Sequence, residues 1–141
     1  MKRETITYID YEGNERTEDF YFNLTKAELT ELNLSTPGGM VKTLERIKQD
    51  VDIPAMAKMF KDLILKAYGQ KTSDGRGFKK SKELREDFES TEAYSQLFMS
   101  FFEDGTGKKA MDFFLGVIPT DLKETVSEEL VKHPELLNQN Q

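Results

Sequence analysis

Apolar and polar residues alternate from Glu4 to Ile9 and again from Thr17 to Phe22, where Phe20 and Phe22 fall on one face. A period of two is the mark of strands with one covered face. The intervening residues 10–15 include Gly13 and Asn14, which accept the positive φ that a tight connection needs. Residues 1–24 are therefore expected to form a β-hairpin. Two strands alone are marginal in water, so this ribbon must lie against helices, pair with another chain, or both.

Beyond residue 24 the period changes to three and four. Thr25 and Glu28 have capping-box spacing and open a short helix that runs to about Asn33. Residues 35–39 break the chain, after which Met40, Val41, Leu44 and Ile47 recur at helical spacing to about Gln49. Asp52 and Pro54 then start a longer helix with the stripe Ile53, Met56, Phe60, Leu63, Ile64 and Ala67, and Gly69 stands as its stop. Residues 70–80 read as a connector, with Asp74-Gly75 as a turn and Lys71, Arg76, Lys79 and Lys80 making it locally cationic. Ser81 or a neighbour opens a short helix carrying Leu84 and Phe88. Ser90 or Thr91 caps the next, along which Ala93, Tyr94, Leu97, Phe98, Phe101 and Phe102 repeat in threes and fours. Residues 104–107 end it. Ala110, Met111, Phe113, Phe114, Val117 and Ile118 make a further helix stopped by Pro119, and Leu122, Val126, Leu130 and Val131 mark a last one from Asp121 to about Lys132. The expectation is a single domain over residues 1–141, mainly α. A compact helical body of about five to seven helices spans 25–132, with the N-terminal β-hairpin at one end and a flexible tail at 133–141.

Composition removes several function classes. Twenty Lys and Arg against 26 Asp and Glu give a formal charge of −6, which argues against a nucleic-acid binder that works by counterion release. The chain has no Cys, so a disulfide framework, a thiolate nucleophile and a Cys-based metal site are all excluded. No stretch approaches the roughly 18 apolar residues of a membrane span, and the alternating N-terminus is no signal-peptide core. A soluble, cytoplasmic protein with no membrane partner is expected.

The motifs that suggest chemistry do not survive their own requirements. Gly105-Thr-Gly-Lys108 has one residue between its glycines where a phosphate loop needs four, and Lys109 follows where Ser or Thr belongs. Asp74-Gly75 lacks the ladder of oxygen ligands of a calcium loop. The sole His, His133, stands beside Pro134 with no nucleophile to serve. The carboxylates at Glu12, Glu15, Glu18 and Asp19, and at Glu83, Glu86, Asp87 and Glu89, are interleaved with Lys, Arg and Thr as solvated faces are. No catalytic residue, no metal ligand and no cofactor is expected.

Ten Phe, five Tyr and six Met point instead to packing and contact. Most belong in the core. Adjacent pairs such as Phe101-Phe102 and Phe113-Phe114 point about 100° apart on a helix, so the expectation is that one buried face does not cover every such pair. Apolar surface is left over for a partner, and unbranched Met side chains suit such a surface because they repack against varied shapes.

Ala67-Tyr68-Gly69, then Asp74-Gly-Arg-Gly-Phe78-Lys-Lys-Ser, Glu83-Leu84, Phe88, Thr91-Glu-Ala-Tyr94, Phe98-Met99, and Phe113-Phe-Leu-Gly-Val-Ile-Pro119 stand in an order and spacing that resembles the tail assembly chaperones of long-tailed phages and prophages of Gram-positive bacteria. The likeness is carried by residues 53–119 and is weaker in the hairpin. It implies a non-enzymatic protein that coats the tape measure protein until tail-tube subunits polymerise around it, acting in the cytoplasm of the bacterial host and absent from the mature virion. It further implies self-association and a longer form of the same chain made by ribosomal frameshifting, this chain resembling the short form. Another small phage-encoded adaptor or inhibitor module is the alternative.

A long tape measure helix cannot bury its own apolar stripe, so a groove among the helices at 53–67, 91–102 and 108–117 is the expected contact, with Met56, Met59, Phe60, Phe98, Phe101, Phe102 and Phe114 as its candidates. Ile6, Tyr8, Phe20 and Phe22 of the hairpin are the candidates for contact between copies.

Overall fold

The computed structural model describes residues 1–34, 39, 42–43, 52–103 and 107–120. The helices expected at 40–49 and 121–132, the turn at 104–106, the tail at 133–141 and His133 lie outside the described residues.

The hairpin forms as the alternation requires. Strand β1 (Lys2–Ile9) pairs antiparallel with β2 (Glu15–Phe22) in a register that places Ile6 opposite Glu18 and Lys2 opposite Phe22. Asp10 organises the turn. One of its carboxylate oxygens accepts the amides of Glu12 and Asn14, each at 2.9 Å, and the other takes the Arg16 guanidinium at 2.6 Å. Gly13 supplies the left-handed residue, φ 83°. With the Asp10 carboxyl so engaged, by Arg16 first and by the turn amides next, its pKa lies below the ordinary value.

The helical caps also follow the sequence. In α1 (Lys26–Leu34) the Thr25 amide donates to Glu28 at 2.9 Å while the Glu28 amide donates to the Thr25 hydroxyl at 3.1 Å. Asp52 caps α2 (Ile53–Ala67), with Pro54 in the first turn. Ser81 caps α3 (Lys82–Glu89), and the Thr91 hydroxyl accepts the Tyr94 amide at the start of α4 (Glu92–Glu103). Helix α5 (Lys108–Val117) ends before Ile118, whose extended backbone is the conformation favoured before a proline.

The mainly helical expectation is overturned by what happens at Gly69. The helix does not stop there into a loop. Tyr68 already has extended backbone (φ −65°, ψ 141°), and β3 (Tyr68–Lys71) pairs antiparallel with β2 through Tyr21 opposite Gly69 and Phe22 opposite Tyr68. Residues 72–77 turn, and β4 (Phe78–Lys79) pairs back onto β3. The product is a four-stranded antiparallel sheet in the order β1-β2-β3-β4, and the fold is mixed α+β. Stretches of four and two residues are too short to show a period, so the connector hid a hairpin. Gly69 is required for a different reason from helix termination: a Cβ there would lie 2.6 Å from the Phe78 ring and 2.7 Å from the Lys79 carbonyl oxygen. The turn itself is built by Asp74, which accepts the Thr72 hydroxyl at 2.7 Å and the Arg76 amide at 3.0 Å, with Gly75 at φ 75°.

The helices cover one face of this sheet. Phe22, Leu24, Ile64, Phe101, Phe113, Val117 and Ile118 are fully buried between the layers. Backbone bonds stitch the strand exit to two helix ends, the Asn23 amide to the Ala67 carbonyl and the Leu24 amide to the Val117 carbonyl, both at 2.8 Å. The opposite face carries a polar ladder in which the Thr5 hydroxyl donates to Asp19 at 2.6 Å and Thr7 meets Thr17 at 2.9 Å.

Candidate partner-binding surface

The residues expected to line a groove separate into two groups. Phe60, Phe101 and Phe114 are buried in the core, whereas Met56, Met59, Phe98 and Phe102 are half-buried and pack against it from outside. Helical phase explains the division. Along α4, Ala93, Leu97 and Phe101 follow one row into the core, and Tyr94, Phe98 and Phe102 follow the adjacent row at its boundary. Rings in that second row lie against one another, Tyr94 to Phe98 at 6.0 Å and Phe98 to Phe102 at 5.3 Å between centroids.

The row continues onto α2. Phe102 meets Phe60 edge-on at 5.2 Å; Met56 stands one turn before Phe60 on α2, and Met59 one turn after Met56. Two side chains beside this boundary project into solvent: Met99, 54% exposed, one turn before Phe102 on the solvent side of the row, and Ile53, 51% exposed, at the start of α2. The sequence reading missed both as site residues. The usable signal was that Met99 falls outside the apolar stripe of its helix and yet is apolar. Tyr94 ends the row; burial, with Glu89 and Asp62 adding to it, pushes its phenol up to about 12. Phe114, by contrast, sits on α5 inside the core and does not join this surface.

The four hairpin residues face the helices. Ile6 and Phe22 are buried, and Tyr8 and Phe20 are half-buried against the core, with Phe22 5.1 Å from Phe113 and Phe20 5.2 Å from Phe88. Tyr8 also donates its hydroxyl to Glu18, which raises its pKa, with burial adding to the effect. Their side chains are thus used within the chain, and what β1 presents outward is a backbone edge that no strand among the described residues pairs. β2 has an open stretch too, because β3 follows it only through Tyr21 and Phe22. An open groove of about 440 Å³ lined by Glu18 to Tyr21 and Tyr68 to Lys71 results.

The cationic connector divides as well. Lys71 lies over the Tyr21 ring at 4.0 Å, while Lys80 turns inward onto Glu28. Among the described residues no three His, Cys, Asp or Glu side chains come together in a way that holds a metal ion, and no helix is long and apolar enough to cross a membrane.

A helix-backed antiparallel sheet with Met and Phe side chains collected along one helix boundary defines a small α+β protein whose distinctive surface is apolar. A model of the phage tail assembly chaperone family matches residues 1–141, and the chain belongs to that family. No curated protein and no solved structure matches it.

Proposed function

We propose that this chain holds the apolar helical stretches of a tape measure protein and keeps them soluble until tail-tube subunits displace it. The observation that carries this reading is the boundary row Tyr94, Phe98 and Phe102 with Met99 exposed beside it, continued by Met56 and Met59. Such a strip accepts the apolar face of a partner helix, with methionine adapting to irregular side chains. Each strip is small. Many copies along one long helix supply the rest by avidity, and weak single contacts leave the coat displaceable by the tube protein without nucleotide hydrolysis.

In this reading the protein works in the host cytoplasm of a long-tailed phage or prophage of Gram-positive bacteria, together with a longer frameshifted form of itself, and is absent from the mature virion. Copies associate through the β1 backbone edge, since Ile6, Tyr8, Phe20 and Phe22 are occupied internally.

The test is co-expression with fragments that tile the tape measure protein of the same phage or prophage. A soluble complex is expected on size exclusion, and Phe98→Ser combined with Met99→Asp is expected to abolish it while leaving the circular dichroism unchanged. A complex that survives the double substitution overturns the surface. Fragments that all remain insoluble or unbound overturn the function.

A further inference from the structure

Lys80 follows β4 directly, yet its side chain is only 13% exposed. Its ammonium donates to the Asn23 carbonyl at 2.6 Å, to the Lys66 carbonyl at 2.9 Å and to both carboxylate oxygens of Glu28 at 2.8 Å. Three protons meet three groups, so the ammonium is saturated. Asn23 follows β2 and Lys66 lies in the last turn of α2, both parts of the packed body. Glu28 belongs to α1.

That helix is built differently from the others. None of its nine residues is buried. Leu29 and Leu32 reach the core only partly, and a second ion pair, Lys66 to Glu31, is long at 3.9 Å. Nine residues are too few for a helix to persist undocked in water. Glu28 serves twice, as the anchor on Lys80 and as the acceptor that caps the Thr25 amide. Losing the anchor therefore loosens the helix start as well.

We infer that α1 is a releasable arm, latched by Glu28 onto Lys80, which opens as a unit while the sheet and the remaining helices stay folded. Opening bares Leu29, Leu32 and the core surface beneath them. The body keeps its own share of the latch residue, because the Lys80 bonds to Asn23 and Lys66 do not involve α1. Local openings of this kind occur where few apolar contacts hold an element.

Hydrogen exchange on the full chain, read by mass spectrometry, tests this. Glu28→Gln removes the charge from the latch and leaves both carbonyl bonds of Lys80 in place. It is expected to speed exchange in α1 by about tenfold, the scale of one lost charged hydrogen bond, with α2 and α4 unchanged. Equal acceleration in all three helices, or none in α1, overturns the inference. The chain has no Cys, so Leu29→Cys gives a second readout on a silent background. Its thiol labelling is expected to quicken when Glu28→Gln is added, and an unaltered labelling rate overturns the arm.

Discussion

Tyr68 and Phe88 stack face to face, their ring centroids 4.2 Å apart and their planes within 9°. Phe88 also meets Phe20 at 5.2 Å and Phe22 and Tyr94 at 5.8 Å each, so one side chain of α3 joins two strands of the sheet to the start of α4. Phe88→Ala opens a cavity bounded by rings that cannot all collapse into it. Its expected cost is about 3–5 kcal/mol, read as a lowered midpoint of urea unfolding. Phe88→Leu keeps an apolar side chain there and is expected to lose clearly less. Equal losses from the two would show that the site relaxes around any substitution.

Two of the three glycines in the β3–β4 hairpin, Gly69 and Gly75, make opposite demands. At Gly69 an added Cβ meets the Phe78 ring at 2.6 Å and the Lys79 carbonyl at 2.7 Å, and the second of these is backbone that cannot step aside. Gly75 has open space around it but a φ of 75°. Gly75→Ala is expected to cost about 1–2 kcal/mol from the left-handed backbone alone. Gly69→Ala is expected to cost more and to disturb the hairpin, visible as faster amide exchange at Gln70 and Lys71. A Gly69→Ala protein as stable as the parent would remove the close approach as the reason for glycine.

Among the described residues, period and N-terminal capping chemistry are sufficient for the first hairpin and the helix starts, whereas Gly69, which the helical pattern marks as a stop, lies in a strand. The β1–β2 alternation, the Thr25–Glu28 capping box, Asp52 with Pro54 and the Ser81 cap all appear at the residues expected. Two kinds of information were missing. Strand β3 is held by pairing with β2, and β4 by pairing with β3 and by Phe78 lying over Gly69, relationships between residues apart in sequence that no local pattern records. The helix α4 stripe named its apolar residues but not which row faces inward, so Phe101 and Phe98 looked alike although one is buried and the other lies at the boundary. Lys80 reads in the sequence as one more cation of the connector, because its partner Glu28 is fifty-two residues away.

Tyr94 supplies a pH signature. Burial, then Glu89 and Asp62, raise its phenol to about 12, above the ordinary value of 10.0. A raised folded pKa means that the unfolded chain releases its proton first. The stability this group contributes is whole below pH 10 and is lost as pH rises towards 12. Tyr94→Phe is therefore expected to weaken the fall in stability over that window, and the parent-minus-variant absorbance of phenolate is expected to appear only towards its upper end. Phenolate absorbance from Tyr94 at its ordinary pKa would contradict its burial.

Glu28 gives the opposite sign in acid. Burial pushes its carboxyl up, but the Lys80 ammonium and the Thr25 amide outweigh it, and the pKa stands below the ordinary 4.5. Burial lowers the Lys80 ammonium by more than Glu28 returns, and the Glu28 carboxylate, held by two charged contacts at 2.8 Å, is the group whose charge the latch stabilises. A depressed carboxyl contributes stability that is present above pH 4.5 and lost as pH falls through the folded value. The difference in urea midpoint between the parent and Glu28→Gln is expected to be largest near neutrality and to close in acid. A difference that persists unchanged to low pH would assign the effect of Gln to packing.

The two faces of α4 determine which substitutions report on binding. Phe101 is 1% exposed and touches the Phe60 and Phe113 rings, so Phe101→Asp buries a charge among aromatics with no partner. It is expected to unfold the protein, and any loss of partner that accompanies it carries no information about the surface. Met99 projects into solvent one position past Phe98, and Met99→Asp is expected to change stability by about 0.5 kcal/mol or less. Thermal unfolding separates the two variants before any binding is measured. Against a tape measure fragment, Met99→Asp places a charge and its hydration shell where the apolar face of the partner helix would lie, and dissociation is expected to quicken about tenfold or more. Unchanged dissociation from a protein that melts with the parent would move the contact off α4.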